Sequence, residues 1–425
     1  MTQTLAEKII ARAAGRDSVT LGDIVTCKID LAMLQDSSGP RRVAPILDRL
    51  GVKIWDPDKV VVINDHYVPA VDLETAAIQG LTREWVKSHQ VKNFHDMQGI
   101  CHVVVQEHGY LAPGMFVVGG DSHSPSGGAA GSFMFGIGAT DMAGVLVTGE
   151  TWIKVPGTYL IRWNGVLAAG VSAKDMMLAT CGRLGMSGAN YQVIEYAGPV
   201  IDAMSMTERL TLCNMSVEIG AMTGIIAPDE TTVEAIRRAG GEPGDISQWR
   251  SDPDANYLGV HEFDATDLSP QVALPHSPDN VGPVRDNLGI PFDQAYIGAC
   301  TGAKLEDLQM AAQILKGRRV TDGIRLLIAP ASTKITTQAA ADGTLEILTA
   351  AGAIMMPSGC GACAGYGAGV LSEGESCIAS TARNFKGRMG PPNSLVYLAS
   401  PYTVAATAVA GSLADPRELL EGETS

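Results

Sequence analysis

Short apolar runs that end directly in polar, chemically active residues set the fold class of this chain. Two of them lie in its first third, VVVI at 60–63 and MFVVG at 115–119. Uninterrupted runs are typical of parallel strands covered on both faces, and open α/β sheets bind ligands at the carboxyl ends of such strands. The polar residues that follow the two runs are Asp65, His66, Asp121, Ser122 and His123. We therefore expect these side chains at one site on a sheet edge.

The strand pattern returns in the last third, interleaved with helical segments. A chain of 425 residues holds two to four domains at roughly 100–200 residues each. In the middle, residues 158–170 alternate and predict a hairpin strand, while the polar stretch 226–285 predicts a helix, loops and an inter-domain linker near 275–285. The later predicted strands are 295–299, 324–330, 353–357, 377–380 and 394–400, with helices over 305–317 and 337–352. The sequence predicts an α/β protein.

The charge balance argues against nucleic-acid and membrane partners. The chain has 31 basic and 46 acidic residues and a net charge of −15, which repels phosphate backbones and anionic membrane surfaces. The N-terminal segment mixes charged with apolar residues and predicts an amphipathic helix instead of a signal peptide. The uncharged stretch 394–414 contains Pro401 and predicts a buried strand and helix instead of a membrane span. We expect a cytoplasmic protein.

Eight cysteines in a chain without a signal peptide predict reduced thiols, three of which have the spacing of a metal site. Cys300 ends a predicted strand, and Cys360 and Cys363 form a C-x2-C pair in the glycine-rich loop after another. Three thiols at one sheet edge are able to share an iron–sulfur cluster. Packing of buried thiols and a zinc site are the alternatives, although zinc lacks a fourth ligand nearby. The cysteines assigned to packing are Cys27, Cys101, Cys181, Cys213 and Cys377.

Taken together and in order, the motifs resemble the aconitase superfamily, and within it the large subunits of two-subunit 3-isopropylmalate dehydratases. Besides the Asp-His pair at 65–66, the motifs are GDSHS, GIGATDM, CNMSVEIGA, IGACTGAKLEDL, GCGACAG and RNFKGRMG, which extend over essentially the whole chain. The resemblance implies an aconitase-like α/β fold of three consecutive domains, 1–155, 156–280 and 281–425, around a cluster-containing cleft. The swivelling fourth domain of fused relatives is not expected.

The resemblance implies one 4Fe–4S cluster per subunit, held by Cys300, Cys360 and Cys363, with its fourth iron open to substrate. General chemistry agrees, because removing a hydroxyl needs a Lewis acid, a proton donor for the leaving oxygen and a base for the carbon-bound proton. The family pattern gives proton donation to His66 paired with Asp65. A neighbouring carboxylate favours the charged imidazole, although this pair alone would also fit a structural loop histidine.

Further catalytic residues follow from the same resemblance. His102 would lie near the Asp-His pair, and Asp121, Ser122 and His123 of the GDSH motif would line the cluster and substrate. Three consecutive residues do not form a hydrolase triad, because neighbouring side chains of a strand point to opposite faces. Glu218 would act beside the cluster and its bound hydroxyl.

The substrate-binding residues implied by the resemblance lie in three segments. Asn214 would lie with Glu218 near the cluster, with an N-cap Asn followed by a first-turn Glu as the alternative interpretation. Gln35 and Asp36 resemble a pair at the substrate edge in relatives. Arg383 and Arg388 would hold substrate carboxylates by bidentate pairing, where isolated arginines would otherwise form solvated salt bridges.

Three positions depart from the family pattern. Gly302 and Ala382 stand where many relatives have Asn, and Lys304 stands where dehydratase large subunits commonly have Arg. Hydrogen bonds near cluster sulfurs tune the potential and stability of a cluster, so these replacements bear on both properties. Lys304 retains a positive charge but not the fork-shaped contact of Arg.

The resemblance predicts a hydro-lyase that works with a separate small subunit. Fused relatives continue with a domain that supplies a serine base and another arginine, whereas this sequence ends soon after RNFKGRMG. The preferred reaction is the isomerisation of 2-isopropylmalate to 3-isopropylmalate in leucine biosynthesis. The alternatives are a homoaconitate hydratase, a dimethylmalate- or maleate-type hydratase and, in another class, a cluster-based sensor. Acidic charge argues against an RNA-binding sensor.

Overall fold

The computed structural model describes residues 2–420, which fold into three mainly parallel sheets and one two-stranded antiparallel sheet, flanked by helices. The strands are β1 (Ile24–Lys28), β2 (Leu31–Gln35), β3 (Val60–Asn64), β4 (Asn93–Asp96), β5 (Phe116–Gly119), β6 (Phe133–Gly136), β7 (Glu150–Lys154), β8 (Thr158–Asn164), β9 (Val193–Ala197), β10 (Thr223–Ile226), β11 (Gly259–Asp264), β12 (Gln271–Ala273), β13 (Val281–Pro283), β14 (Gln294–Ile297), β15 (Arg325–Ile328), β16 (Ile354–Met355), β17 (Ser376–Ala379) and β18 (Leu395–Ala399). The helices are α1 (Leu5–Ala13), α2 (Pro40–Leu50), α3 (Leu73–Ser88), α4 (Cys101–Glu107), α5 (Ala139–Thr148), α6 (Ala173–Leu184), α7 (Pro199–Asp202), α8 (Met206–Met215), α9 (Glu230–Arg238), α10 (Leu305–Leu315), α11 (Thr333–Ala341), α12 (Thr344–Ala350), α13 (Pro401–Ala410) and α14 (Arg417–Leu420).

The first sheet has the order β4-β3-β2-β5-β6, and every pairing in it is parallel. Strands β2 and β3 are buried at all positions, because helices cover both faces of their uninterrupted apolar runs. The chain proceeds from β2 to β3 and β4 on one side, then returns as β5 and β6 on the other. This reversal creates a crevice between the carboxyl ends of β2 and β5, the usual ligand position in such sheets.

The second sheet has the order β10-β9-β8-β11 and is also parallel throughout. The predicted hairpin at 158–170 is therefore wrong: β8 pairs with β9 and β11, which it reaches through long crossover connections. Alternation in β8 reflects one half-exposed face and carries no information about pairing direction. Within 226–285 the expected helix is present as α9, and the alternating edge strand β11 was not anticipated.

The third sheet has the order β13-β12-β18-β17-β14-β15-β16. Its strands β14 to β18 are parallel and confirm the predicted strands of the last third, while α10 to α12 confirm the predicted helices. Strand β12 pairs antiparallel with both β13 and β18, so the segment predicted as a linker near 275–285 joins the edge of this sheet. The domain boundaries at 155 and 280 remain a prediction.

A second reversal of strand order lies in the third sheet, between β14 and β17. The chain leaves β14 toward β15 and β16 on one side and returns as β17 and β18 on the other. Cys300 follows β14 and Arg383 follows β17, so both emerge at this crevice. Within residues 2–420, no helix has both the length and the apolar character needed to cross a membrane.

Close backbone contacts join the sheets around the two crevices. The 3-10 helix Ser124–Ala130 packs on the second sheet so tightly that a Cβ added to Gly128 would lie 1.7 Å from the carbonyl oxygen of Gly224. The loop after β16 meets the first sheet where the amide of Cys360 donates to the carbonyl of Asp65 at 2.8 Å. The two crevices therefore face a common space.

We predict that Gly128→Ala strongly destabilises the chain. Its methyl group would overlap backbone atoms of the neighbouring sheet, which cannot rotate away, so the free energy of unfolding should fall by about 3 kcal/mol or more. The measurement is urea unfolding followed by circular dichroism. Gly80→Ala in α3, where nothing lies within 4 Å of an added Cβ, is the matched control and should stabilise slightly. Equal effects of both substitutions would contradict this packing argument.

Candidate active site

A cavity of about 260 Å³ opens where the crevices of the first and third sheets face each other. It contains most of the predicted site residues. The predicted residues that line it are Gln35, His66, His102, Asp121, Ser122, His123, Cys300, Cys360, Cys363, Arg383 and Arg388. The other predicted residues, Asp36, Asp65, Asn214 and Glu218, lie behind its wall and bind lining residues. The cavity thus brings together side chains that are far apart in sequence.

The three predicted metal-binding thiols lie on one wall of the cavity. Ala299 adopts a left-handed φ of 68°, which turns the chain after β14 toward Cys300. Cys360 and Cys363 flank the first turn of the 3-10 helix Gly361–Ala364. The remaining cysteines are buried in hydrophobic cores, which confirms their assignment to packing.

The environment of these thiols suits a positively charged metal group. Burial, followed by the proximity of Cys363, raises the pKa of Cys300 to about 12, and burial together with Asp65 raises the pKa of Cys360 well above its ordinary value. The thiolates are thus disfavoured unless cations bind them. Asn214 donates from Nδ2 to Cys300 Sγ at 3.2 Å, a hydrogen bond that would tune a metal-bound sulfur. The donor set and its surroundings fit an iron–sulfur cluster.

His66 is held between two carboxylates of the first sheet. Its Nδ1 lies 2.7 Å from Asp65 Oδ1, and its backbone amide donates to Asp36 Oδ1 at 3.0 Å. Burial by itself would lower the pKa of His66, but the charge of Asp65 and the hydrogen bonds that the imidazole donates to Asp65 and Asp36 hold it well above 6.5. This environment favours the charged imidazole, whose Nε2 lies 3.8 Å from Asp121 Oδ2. Such a group is equipped to donate a proton into the cavity.

Asp121 lies at the centre of three imidazoles. Its Oδ1 is 2.8 Å from His102 Nε2 and accepts the backbone amide of His123 at 2.8 Å. Burial alone would raise the pKa of Asp121, yet hydrogen bonds from His102 and His123 hold it well below its ordinary range. The buried Nδ1 of His102 has no hydrogen-bond partner among the described residues. Asp121 thus stays ionised and fixes the orientation of the surrounding rings.

Behind the cavity, Glu218 contacts residues that follow strands of the first and third sheets. It accepts from Arg383 Nε at 2.7 Å and lies 3.1 Å from His123 Nε2, while Arg383 Nη1 donates to Ser122 Oγ at 2.9 Å. Burial alone would raise the pKa of Glu218, but His123 and Arg383 outweigh it and lower the pKa. Asn214 and Glu218, expected on one helical face, instead face Cys300 and His123 from α8 and the 3-10 helix Ser216–Ile219.

Arg388 lines the cavity and, unlike Arg383, forms no ion pair with a carboxylate of residues 2–420. Burial opposes its charge, but Cys363 and Cys360 raise the pKa of Arg388. A planar cation on the cavity wall without a carboxylate partner matches a carboxylate ligand.

Two departures from the family pattern have clear structural causes. A Cβ at position 302 would lie 2.2 Å from Ser380 Oγ, so the packing of Ser380 admits only glycine there. Lys304 points away from the cavity and donates to Asp307 Oδ2 at 2.7 Å and to the carbonyl of Cys300 at 3.0 Å. It secures the cysteine loop. Ala382 lines the cavity, where it leaves room that an Asn side chain would occupy.

Sequence reasoning missed two groups near the cavity. Tyr366 lines it, with its ring centroid 6.2 Å from that of His66. Its position inside the GCGACAGYG loop, three residues after Cys363, was the available signal. Lys174 is 2% exposed and reaches the loop after β17. Lys174 lies in an unremarkable helical segment far from every motif, and no local pattern indicated it.

Comparison with known proteins matches the chain over its full length. The profile of the aconitase family (aconitate hydratase) covers residues 7–411. The 3-isopropylmalate dehydratase large subunit 1 of Methanopyrus kandleri is 47% identical, covering 99% of this chain and 100% of that protein. The 3-isopropylmalate dehydratase large subunit of Aquifex aeolicus is 42% identical over 100% and 99% of the two chains. The methanogen homoaconitase large subunit of Methanocaldococcus jannaschii is 45% identical over 96% and 98%.

We predict that Glu218→Gln destabilises the chain in a pH-dependent way. A lowered pKa means that the carboxylate stabilises the fold above about 4.5, its unfolded value, and that this stabilisation is lost as the pH falls through the folded value. At neutral pH the substitution should lower the free energy of unfolding by about 1–3 kcal/mol, because Arg383 and His123 lose a charged acceptor.

Urea unfolding at several pH values measures the effect, which should shrink toward acid pH. Glu262→Gln is the matched control, since Glu262 forms an exposed pair with Arg162 and its loss should cost at most about 1 kcal/mol. If the loss of unfolding free energy in Glu218→Gln stays constant from neutral to acid pH, the charge of Glu218 is not the cause of that loss.

Proposed function

Because the chain belongs to the aconitase family, we propose that it is the large subunit of an iron–sulfur hydro-lyase acting on a hydroxy dicarboxylate or tricarboxylate. The preferred reaction converts 2-isopropylmalate into 3-isopropylmalate by dehydration and rehydration, in leucine biosynthesis. Relatives of that name at 47% and 42% identity support this choice. The observation that carries the proposal is one cavity lined by three thiols, carboxylate-bound imidazoles and two arginines.

Cys300, Cys360 and Cys363 would hold a 4Fe–4S cluster. When bound, such a cluster with an iron that lacks a protein ligand supplies a Lewis acid for the hydroxyl of the substrate. The chain supports it with the Asn214 amide beside one sulfur and the Arg388 cation beside two others. Both contacts favour thiolate over thiol.

His66 is the proposed proton donor to the leaving hydroxyl. Its Nδ1 is engaged by Asp65, which leaves Nε2 on the cavity side. Asp65 and Asp36 favour the charged form of the His66 imidazole. Asp121 Oδ2 lies 3.8 Å from His66 Nε2 and helps to orient the ring. Neutralising Asp121 would disturb three imidazoles at once, so it acts as a positioning residue for the acid.

The two arginines of the cavity have different proposed roles in binding substrate. Arg383 is already held by Glu218 and Ser122, which fixes its guanidinium at the cavity wall. Arg388 lines the cavity without a carboxylate partner among residues 2–420 and is the better candidate for the substrate carboxylate. A fork-shaped pair between Arg388 and a carboxylate would orient the substrate.

A separate small subunit is proposed to supply the base that removes the carbon-bound proton. Asp121, the one carboxylate among the described lining residues, is engaged by imidazoles and is therefore not free to act as that base. The relatives are named large subunits, which supports a partner chain.

Homoaconitate is the second candidate substrate. The Methanocaldococcus jannaschii homoaconitase large subunit matches this chain at 45% identity, within two per cent of the dehydratase match at 47%. 2-Isopropylmalate and homocitrate, the hydrated form of homoaconitate, both carry a hydroxyl beside a carboxylate, so the contacts of His66 and Arg388 serve either. The substituent that differs would lie toward the small subunit.

We predict turnover only when the chain is combined anaerobically with its small subunit. The assay follows the ultraviolet absorbance of the unsaturated acid for isopropylmalate, homocitrate, citrate, dimethylmalate and malate. Isopropylmalate should react with the highest kcat/KM, and the chain alone should be inactive because the base is proposed to lie on the small subunit. Homocitrate as the best substrate would establish the alternative. Turnover by the chain alone would refute the need for a partner, and none in the complex despite a full cluster would favour a sensor.

We predict that Cys363→Ser lowers the iron and acid-labile sulfide content of anaerobically purified protein to a small fraction of the wild-type value. Serine keeps the size of the side chain but is a poor ligand for a soft iron site. Cys377→Ser is the matched control: this thiol is equally buried, lies in β17 away from the cavity and should leave the iron content unchanged. Equal iron content in both variants would remove Cys363 from the ligand set.

A further inference from the structure

Lys174 is a buried ammonium group packed against the chain segments that lead into the cavity wall. It projects from α6 and is 2% exposed. Its Nζ donates to the carbonyl of Ser380 at 3.2 Å, makes a still shorter contact with the carbonyl of Thr381 and lies 3.5 Å from Met215 Sδ. Two of these neighbours immediately precede the cavity-lining segment at 382–383, and the third adjoins Asn214.

Lys174 forms no ion pair with any carboxylate of residues 2–420. Glu218 acts on it only at longer range and is already committed to His123 and Arg383. By contrast, the other buried lysine of this region, Lys304, has Asp307 at 2.7 Å. A buried charge without a counter-charge is strongly disfavoured, so an unpaired lysine in this position needs an explanation.

The negative charge that Lys174 lacks would come from the cysteine sulfurs. The geometry places Lys174 close to Cys300: the Ser380 carbonyl that accepts from Lys174 Nζ also accepts from Thr301 Oγ1 at 2.9 Å, and Met215, which Nζ contacts, follows Asn214, the donor to Cys300 Sγ. Burial lowers the pKa of Lys174 to about 8, and the nearby Cys363, Cys181 and Cys300 oppose that shift. Thiolates bound to iron would keep their negative charge at any pH and would place it near the Lys174 ammonium group.

We propose that Lys174 is the counter-charge of the cysteine-bound cluster and that it retains the cluster and raises its reduction potential. The proposal rests on the cluster assigned under the proposed function. A fixed positive charge in a low-dielectric interior stabilises the more negative, reduced state of a nearby cluster. The same charge would attract the negatively charged sulfurs of a bound cluster, which opposes release of iron. Lys174 touches neither substrate nor metal and acts as a positioning and charge-tuning residue.

The test compares Lys174→Met, which removes charge and hydrogen bonds, with Lys174→Gln, which keeps a donor without charge. Lys334→Met, at an exposed site on α11, removes the same charge far from the wall and is the matched control. The measurements are the rate of loss of the sulfur-to-iron visible absorbance in air, the cluster potential by spectroelectrochemical titration, and the thermal midpoint of unfolding of cluster-free and cluster-loaded protein.

Both Lys174 variants should lose their cluster about tenfold faster than the wild-type protein. A factor of about ten is the lower limit of the usual effect of substituting residues that support metal ligands. Their potentials should fall, by about 59 mV for each tenfold change in the one-electron equilibrium. Without the cluster, the thermal midpoint of unfolding of each variant should equal or exceed that of the wild-type protein, because the substitution removes a buried charge that has no counter-charge. Lys334→Met should match wild type in all measurements.

Three results would overturn the proposal while leaving the cluster in place. These are an unchanged potential in both variants, full rescue by Lys174→Gln, which would assign the effect to hydrogen bonding, and an equal fall of the midpoint with and without cluster, which would indicate a purely structural role. Wild-type protein that binds no iron would instead refute the cluster itself. The two failures are therefore distinguishable.

Discussion

Glu218 is 1% exposed and lies between an imidazole of the first sheet and a guanidinium of the third, although it belongs to the second. The geometry of the cavity depends on this carboxylate because it is the one acceptor through which groups of all three sheets are joined. Without it, Arg383 and His123 would lose the acceptor that they share in a buried space. Its position is costly in desolvation and is stable only because both partners are present.

Chain topology explains why the remaining groups converge. In the first and third sheets the strand order reverses once, between β2 and β5 and between β14 and β17. Each reversal leaves a crevice at the carboxyl ends of the strands, and the two crevices open toward each other. One supplies carboxylates and imidazoles, and the other supplies thiols and arginines. Acid–base groups and metal ligands therefore meet without sharing any element of secondary structure.

Much of this arrangement was predictable because its signals are local. Uninterrupted apolar runs such as 60–63 gave buried strands, and the polar residues after them fell at the cavity. Features that depend on contacts between distant segments were not predictable. The direction of pairing of β8, the edge pair β12–β13 and the burial of Lys174 are decided by neighbours that lie far away in sequence. The need for glycine at position 302 was unpredictable for the same reason, because it depends on the position of the distant residue Ser380.

We propose that the three thiols of one wall hold a cluster with one iron left open to the substrate of the facing acid–base groups. Mössbauer spectroscopy of the chain in complex with its proposed small subunit, reconstituted with isotopically enriched iron, is the decisive measurement. On addition of isopropylmalate, one iron site of the cluster should change its isomer shift and quadrupole splitting while the others stay constant. A spectrum without a cluster, or a cluster whose iron sites all remain unchanged when substrate is turned over, would contradict it.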